Sequence, residues 1–403
     1  MFDVNSSCFA PRSDLTMLCA TNRAFGRFFA RRQHVVPTAW NTFSSWGSAK
    51  DRKIVDLRSD TVTAPSRPML ESTLSARTGD DVMGEDPTIK DLEAYMADLF
   101  EKEKGLFVPT GTMSNLVAIM AHCHGRASEI IMGSNSHICL WEGGGAAGLA
   151  GVSSRQLPED PQTAQISKVD IKDAFRLDDD DHCAKTTLIC LENSHNMMGG
   201  IAIPAEYMDE IGDLAHNELN VSLHVDGARI FNASTALDVS ASRLCAAADS
   251  VSICLSKGLG APAGSVLVGE SEFIRLAKRA RKRCGGGMRQ AGVLAAMGLY
   301  AVRHNVEKLK ADQERARYLG EKLTEHGFIL PTKTQTNIIY FALPPDSKVS
   351  KTEFVERLRE DWGVKLGGGY KRAGGELFRA VTHLDVDDQD VQHAAQAMIQ
   401  VAC

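Results

Sequence analysis

Three short apolar runs constrain the fold of this chain most. They are residues 187–192 (Thr-Leu-Ile-Cys-Leu-Glu), 221–226 (Val-Ser-Leu-His-Val-Asp) and 251–255 (Val-Ser-Ile-Cys-Leu). Each has strand length, and a helical pattern over residues 207–219 separates the first two. Residues 105–109 form a similar run, followed by a helical pattern over 112–122 with Leu116, Ile119 and Met120 on one face. Strands alternating with helices predict βαβ units and a mostly parallel sheet in an α/β fold. In such sheets a ligand lies beyond the carboxyl ends of the strands. The polar residues that end these runs are therefore where chemistry is expected.

The flanking segments extend the pattern. Residues 54–63 read as an extended arm. Asp86 can cap a helix opened by Pro87, with Ile89, Leu92, Met96, Leu99 and Phe100 at helical spacing. A long helical stretch over 290–325 is followed by strands at 337–341 and 377–382 and a helix from Asp387. These boundaries divide the chain into a leader (1–50), an arm (51–66), a large ligand-binding domain (67–300) and a smaller C-terminal α+β domain (301–403). A chain of 403 residues, 43% hydrophobic and 24% charged, can bury both cores.

Composition excludes several classes. A net charge of −6 argues against general nucleic-acid or membrane affinity. No apolar run reaches the roughly 18 residues of a membrane span. Ten scattered cysteines without a CxxC pair fit a reduced intracellular protein. Residues 15–50 contain no acidic residue and carry Arg23, Arg27, Arg31, Arg32 and Lys50. Such a leader reads either as a mitochondrial transit peptide or as an extension of a cytosolic enzyme. Asp3 and Asp14 break the pattern upstream, where Met17 offers a second start.

Lys257 directly follows the run 251–255 and precedes Gly258, Gly260 and Gly264. A lysine amine attacks an aldehyde only in its neutral form, which partial burial favours. The glycines allow backbone to approach a flat ligand. Asp226 ends another strand, and a buried carboxylate needs a cationic partner. That partner is either Arg229, in a structural pair, or a protonated pyridine nitrogen. Pro109-Thr-Gly-Thr runs from a strand into a helix, so Gly111 and Thr112 present backbone N–H groups suited to a phosphate. Lysine, aspartate and phosphate cradle together point to pyridoxal 5'-phosphate (PLP). His137 and His195 stand near predicted strand ends, where an imidazole can stack on a ring or act as a base.

Other patterns compete. Gly143-Gly-Gly145-Ala-Ala-Gly148 satisfies GxGxxG, but it lacks a clean preceding strand and falls mid-chain, so a nicotinamide site is disfavoured. The basic run 275–283 reads as a helix face, partly serving a phosphate. Residues 178–181 read as a solvated acidic loop and His122-Cys-His124 as a helix end, so no metal is expected.

Eight motifs in order, from about residue 54 to the C-terminus, resemble the low-specificity L-threonine aldolases. They are Val55-Asp-Leu-Arg-Ser-Asp-Thr, Phe107-Val-Pro-Thr-Gly-Thr, His137 with Trp141-Glu-Gly-Gly-Gly, Glu192-Asn-Ser-His195, His224-Val-Asp-Gly-Ala-Arg229, Leu255-Ser-Lys-Gly-Leu-Gly, Gly285-Gly-Gly-Met-Arg-Gln and Arg379-Ala-Val-Thr-His-Leu-Asp. The resemblance implies the aspartate-aminotransferase fold type, PLP as cofactor, and retro-aldol cleavage of L-threonine and L-allo-threonine to glycine and acetaldehyde. It implies Lys257 as the Schiff-base lysine, Asp226 as the partner of the pyridine nitrogen and Gly111 and Thr112 as phosphate ligands. His137 would stack on the ring, while Ser59, Arg229 and Arg379 would bind the substrate carboxylate. His195 would lie near the substrate hydroxyl, so that His195 or His137 serves as base. Lys282 and Arg289 would approach the site across a dimer interface, in a homodimer or homotetramer. Met83 and Trp141 depart from the tyrosine, and the tyrosine or phenylalanine, of many relatives. A β-eliminating lyase or an aminotransferase of the same fold is the alternative.

Overall fold

The computed structural model describes residues 53–177, 180–372 and 375–402. The leader 1–50 and Asp178 and Asp179 of the acidic loop lie outside the described residues. The strands, in chain order, are β1 (Val55–Leu57), β2 (Lys104–Val108), β3 (Ser128–Gly133), β4 (Ser153–Leu157), β5 (Lys185–Glu192), β6 (Ser222–Asp226) and β7 (Ser250–Cys254). Then come β8 (Ser265–Gly269), β9 (Ile338–Phe341), β10 (Val364–Arg372) and β11 (Gly375–Val381).

Seven strands make the larger sheet, in the order β2-β8-β7-β6-β5-β3-β4. Pairs from β7 through to β4 are parallel, whereas β8 runs antiparallel to both β2 and β7. Helices cover both faces, so the central strands are buried throughout: Val225, Val251, Ile253 and Leu255 are all wholly inaccessible. Continuous apolar runs rather than alternating ones follow from that double coverage. The smaller sheet has the order β1-β10-β11-β9. Its core gathers Leu57, Phe341, Phe354, Val364 and Met398. β1 joins it in parallel to β10, with Val55 opposite Val364, so the arm is stitched to the C-terminal sheet.

Local signals placed several elements well. Asp86 caps the helix Pro87–Leu99 by accepting from the Ile89 backbone N–H at 3.0 Å. Ile89, Leu92, Met96 and Phe100 are buried, but Leu99 is 38% exposed and lies off the buried stripe. The predicted stretch 290–325 is two helices, Gly292–His304 and Leu309–Glu325. Between them Asn305 turns its amide inward and donates to the Leu259 carbonyl at 2.8 Å. The arm is extended only over β1; Asp60–Val62 then forms a 3-10 turn capped by Ser59. Gly143 and Gly144 take left-handed angles (φ 63° and 69°) and open a four-residue helix, Gly145–Gly148, unlike a nucleotide-binding βαβ turn.

Candidate active site

The site forms where β6 and β7 end side by side. Their parallel register sets Asp226 opposite Ser252, and the Gly227 N–H donates to the Ser252 carbonyl at 2.8 Å. Past β7 the chain turns sharply, with the Gly260 N–H bonded to the Lys257 carbonyl at 2.8 Å and Gly260 at φ +72°. A left-handed residue costs glycine little, which permits a tight turn directly after Lys257. Lys257 is half-buried, and its amine makes no hydrogen bond or ion pair among the described residues. It opens on a cleft of about 200 Å³ lined also by His137, Trp141, Asn196, Arg229, Tyr370 and Arg379, with Ser59 and Thr61 of the arm.

Asp226 is buried and accepts from the Asn115 amide at 2.9 Å and the Ala228 N–H at 3.1 Å. No lysine or arginine pairs with it among the described residues, so the alternative of a structural Asp226–Arg229 pair does not form. The same Asn115 nitrogen donates to Glu142 at 2.7 Å, and Glu142 bonds His137 Nδ1 at 2.9 Å. His137, Glu142 and Asp226 bring polar atoms within 4.8 Å of one another. Burial opposes charge on His137, but the bond to Glu142 and the charge of Asp226 outweigh it and raise its pKa. Burial, with Asp226 adding to it, raises the pKa of Glu142 despite its bonds to His137 and Asn115. Glu192, ending β5, accepts from the backbone N–H of His137 at 2.6 Å and of Asn196 at 2.8 Å. One carboxylate thus fixes the loops that carry His137 and Asn196.

Two buried arginines face the cleft. Arg229 makes a bidentate pair with Asp60, Nε and Nη2 each at 2.7 Å. Burial opposes ionisation of Asp60, but the charge and bonds of Arg229 hold its carboxyl well below the usual range. Arg379 donates to Asn196 Oδ1 at 3.0 Å and to the Arg58 carbonyl at 3.0 Å. Arg229 reaches the same Asn196 oxygen at 3.4 Å. The Arg379 guanidinium lies 4.6 Å from the centre of the Tyr370 ring, which meets Trp141 edge-on at 6.3 Å.

Other expected residues sit elsewhere. His195 is 2% exposed, does not line the cleft, and bonds Glu159 at 3.2 Å through Nε2. Arg289 is exposed and pairs with Asp80 at 2.7 Å, and Lys282 is exposed beside Gly287; neither lines the cleft of this chain. Gly111 and Thr112 begin the helix Gly111–His122, capped by Thr110, outside the lining of the cleft. A Cβ on Gly111 would stand 2.6 Å from Cys254 Sγ, so only glycine fits against the end of β7. In the basic run, Arg281 is buried and bonds Asp81 and the Phe107 carbonyl. Asp60, Asn115, Glu142, Asn196 and Tyr370 were not singled out by sequence; adjacency to Ser59 and His195 was the available signal for Asp60 and Asn196.

The residues present fit PLP: a half-buried amine and a buried carboxylate, neither with an ionic partner among the described residues, an imidazole on the cleft wall, and the amino end of a twelve-residue helix beside β7. A sequence profile of the β-eliminating lyases matches residues 56–344. The low-specificity L-threonine aldolase 1 of Arabidopsis thaliana is 41% identical over 351 residues, covering 86% of this chain and 96% of that protein. The low specificity L-threonine aldolase of Escherichia coli K12 is 41% identical over 344 residues, covering 85% and 97%. The solved structure of Leishmania major threonine aldolase shares the fold, with a TM-score of 0.74 at 17% identity over 87% of this chain and all of that one. By profile and by relatives alike, the chain belongs to the β-eliminating lyase family and stands among its low-specificity L-threonine aldolases.

Proposed function

We propose that this enzyme cleaves the Cα–Cβ bond of L-threonine and L-allo-threonine to give glycine and acetaldehyde, with PLP carried on Lys257. One observation carries the reading: a single small cleft joins an unpartnered lysine to two buried arginines that share Asn196. When bound, PLP supplies an electron-poor ring that accepts the electron pair left at Cα when a bond there breaks. The surrounding residues decide which bond that is. Arg229 and Arg379, with Ser59, take the substrate carboxylate. Fixing the carboxylate would restrict rotation about the N–Cα bond, so these residues would select which bond at Cα breaks. Asp60 and Asn196 hold both guanidinium groups in place beforehand, so little orientation is left to lose on binding. Asp226 would hold the ring nitrogen, and the amino end of the helix at Gly111 and Thr112 would hold the phosphate.

His137 lines the cleft and is the group that accepts the β-hydroxyl proton. Glu142 holds its Nδ1, leaving Nε2 to receive that proton. His195, behind the wall, acts through its hold on the loop that carries Asn196. Acetaldehyde and glycine release from both isomers by the purified holoenzyme, without added keto acid and lost in Lys257→Ala, tests the reading. Ammonia with a keto acid product would instead mean β-elimination, and dependence on an added keto acid would mean transamination.

The assembly is a homodimer or homotetramer, which exposed Leu74, Met83 and Val293 support (87%, 71% and 42% accessible); light scattering on purified protein tests this. The arginine-bearing leader supports import into the mitochondrial matrix or a cytosolic extension, and imaging of a C-terminal fusion separates them. A reaction that consumes threonine and releases glycine supports a role in threonine breakdown and glycine supply.

A further inference from the structure

Behind the cleft runs a line of buried polar side chains that the reaction above does not use. It starts at His122, the last residue of the helix Gly111–His122, and passes through Ser250 on β7 and His224 on β6 to Asn115. His122 Nε2 lies 2.7 Å from Ser250 Oγ, which lies 2.8 Å from His224 Nδ1. His224 Nε2 lies 3.2 Å from Asn115 Oδ1. Asn115 Nδ2 then reaches Glu142 at 2.7 Å and Asp226 at 2.9 Å. His224 and Ser250 are wholly inaccessible and Asn115 is 1% exposed, so water cannot stand in for a missing bond.

Chemistry fixes every proton along this line. Asn115 Nδ2 is the atom facing both carboxyl groups, so its two amide hydrogens point at Glu142 and Asp226. Reversing the amide would set its oxygen against two carboxylate oxygens at those same short distances. With the nitrogen so placed, Asn115 Oδ1 faces His224 and can only accept, so His224 carries its proton on Nε2. Burial holds His224 down to about 4, which keeps the imidazole neutral and leaves a lone pair on Nδ1. The Ser250 hydroxyl must therefore donate to Nδ1, and its oxygen is left to accept from His122. All the donors run one way, towards the two carboxylates, and each link polarises the next.

We propose that Asn115, His224 and Ser250 are positioning residues that form a one-way donor chain holding Glu142 and Asp226 as oriented anions, one against His137 and one for the cofactor ring nitrogen. The proposal rests on the roles given above to Asp226 and His137. The other charged groups facing this cluster are Lys257 and Glu192, which act on His137, and His124, which faces His122. A purely space-filling network would be indifferent to the direction of its hydrogens; this one is not.

The holoenzyme tests it in two ways. First, the ¹⁵N shifts of histidine-labelled wild-type protein report the tautomer of His224. A proton on Nε2 is required, and a proton on Nδ1 overturns the proposal without any variant. Second, Ser250→Ala removes the hydroxyl that joins His122 to His224 while leaving the cleft untouched, and Asn115→Ala removes the hub. Asn115→Ala should weaken PLP binding about tenfold, the effect of leaving a buried polar group unsatisfied. Ser250→Ala should displace the pH midpoint of the bound cofactor's visible absorbance and lower kcat with KM for threonine unchanged, since the arginines are intact. Ser250→Thr, which keeps the hydroxyl, should restore both. If a Lys257-dependent absorbance is present but both variants leave its pH profile and PLP affinity as in wild type, the donor chain is wrong. If wild type shows no Lys257-dependent absorbance, the cofactor reading itself fails.

Discussion

Replacing Asp60 by alanine would strand Arg229 in the interior. The two side chains are 0% and 5% exposed and share two charge-assisted hydrogen bonds of 2.7 Å. Each such bond contributes about 1.5–3 kcal/mol, so losing both costs about 3–6 kcal/mol. Breaking a buried pair by removing one partner costs about 3–5 kcal/mol, which agrees. Asn196 still accepts from the orphaned guanidinium at 3.4 Å, and that favours the lower end. We expect Asp60→Ala to lose about 3 kcal/mol, measured as the urea unfolding midpoint and slope at fixed protein concentration. Asp60→Asn, which keeps one acceptor, should lose about half as much. KM for threonine should rise in both, because Arg229 is no longer held for the substrate carboxylate. The pH dependence has a definite sign. Asp60 is held below its unfolded value, so its contribution is complete above about pH 4 and is lost as pH falls further. Asp60→Ala should therefore flatten the acid limb below about pH 4 and leave the neutral slope unchanged. A loss within about 1 kcal/mol, the range of an exposed pair, would refute the reading of a dry, obligatory pair.

Gly111→Ala sets a Cβ 2.6 Å from Cys254 Sγ and should lower stability by about 1–3 kcal/mol in a thermal melt, with Cys254→Ala recovering most of it; an unchanged melt would remove the contact from the argument. Glu159 accepts from Ser134, Asn135 and His195, and these bonds hold its pKa down against the burial that opposes them. Glu159→Gln should remove stability that is complete above about pH 4.3 and lost as pH falls below it, read from unfolding midpoints across an acid pH series. Tyr370→Ala removes the ring under Arg379 and should raise KM for threonine about fivefold with kcat nearly constant, from a cation–π contact of about 1 kcal/mol. A kcat loss larger than the KM rise would assign Tyr370 to the chemical step instead.

Much of the frame was legible because it depends on local periodicity and end signals. The runs 221–226 and 251–255 are central strands, and their polar ends meet as neighbours in register. Asp86 and Pro87 start a helix where capping physics puts one. β3, β4, β8 and β10 were not singled out, since short apolar or glycine-flanked runs carry no period that distinguishes them. The arm was read as extended throughout, but only three of its residues make a strand, because pairing ends where Asp60 turns in to meet Arg229.

The chain's own sequence determined which residues carry reactive groups and where strands deliver them: Lys257, Asp226, His137, Arg229 and Arg379 are each read from motif and strand end. Only the tertiary structure decided what each of them touches. Asp60 and Arg229 are 169 residues apart, and Asn115 and Asp226 are 111 apart. No local rule links such pairs, because burial is a property of the folded sheet and not of either segment. Folding removed water from these groups and decided which of them found a charged partner. In that way it gave Arg229 to Asp60, kept Asp226 without a cation, moved His195 behind the wall and left His137 on the cleft beside Lys257.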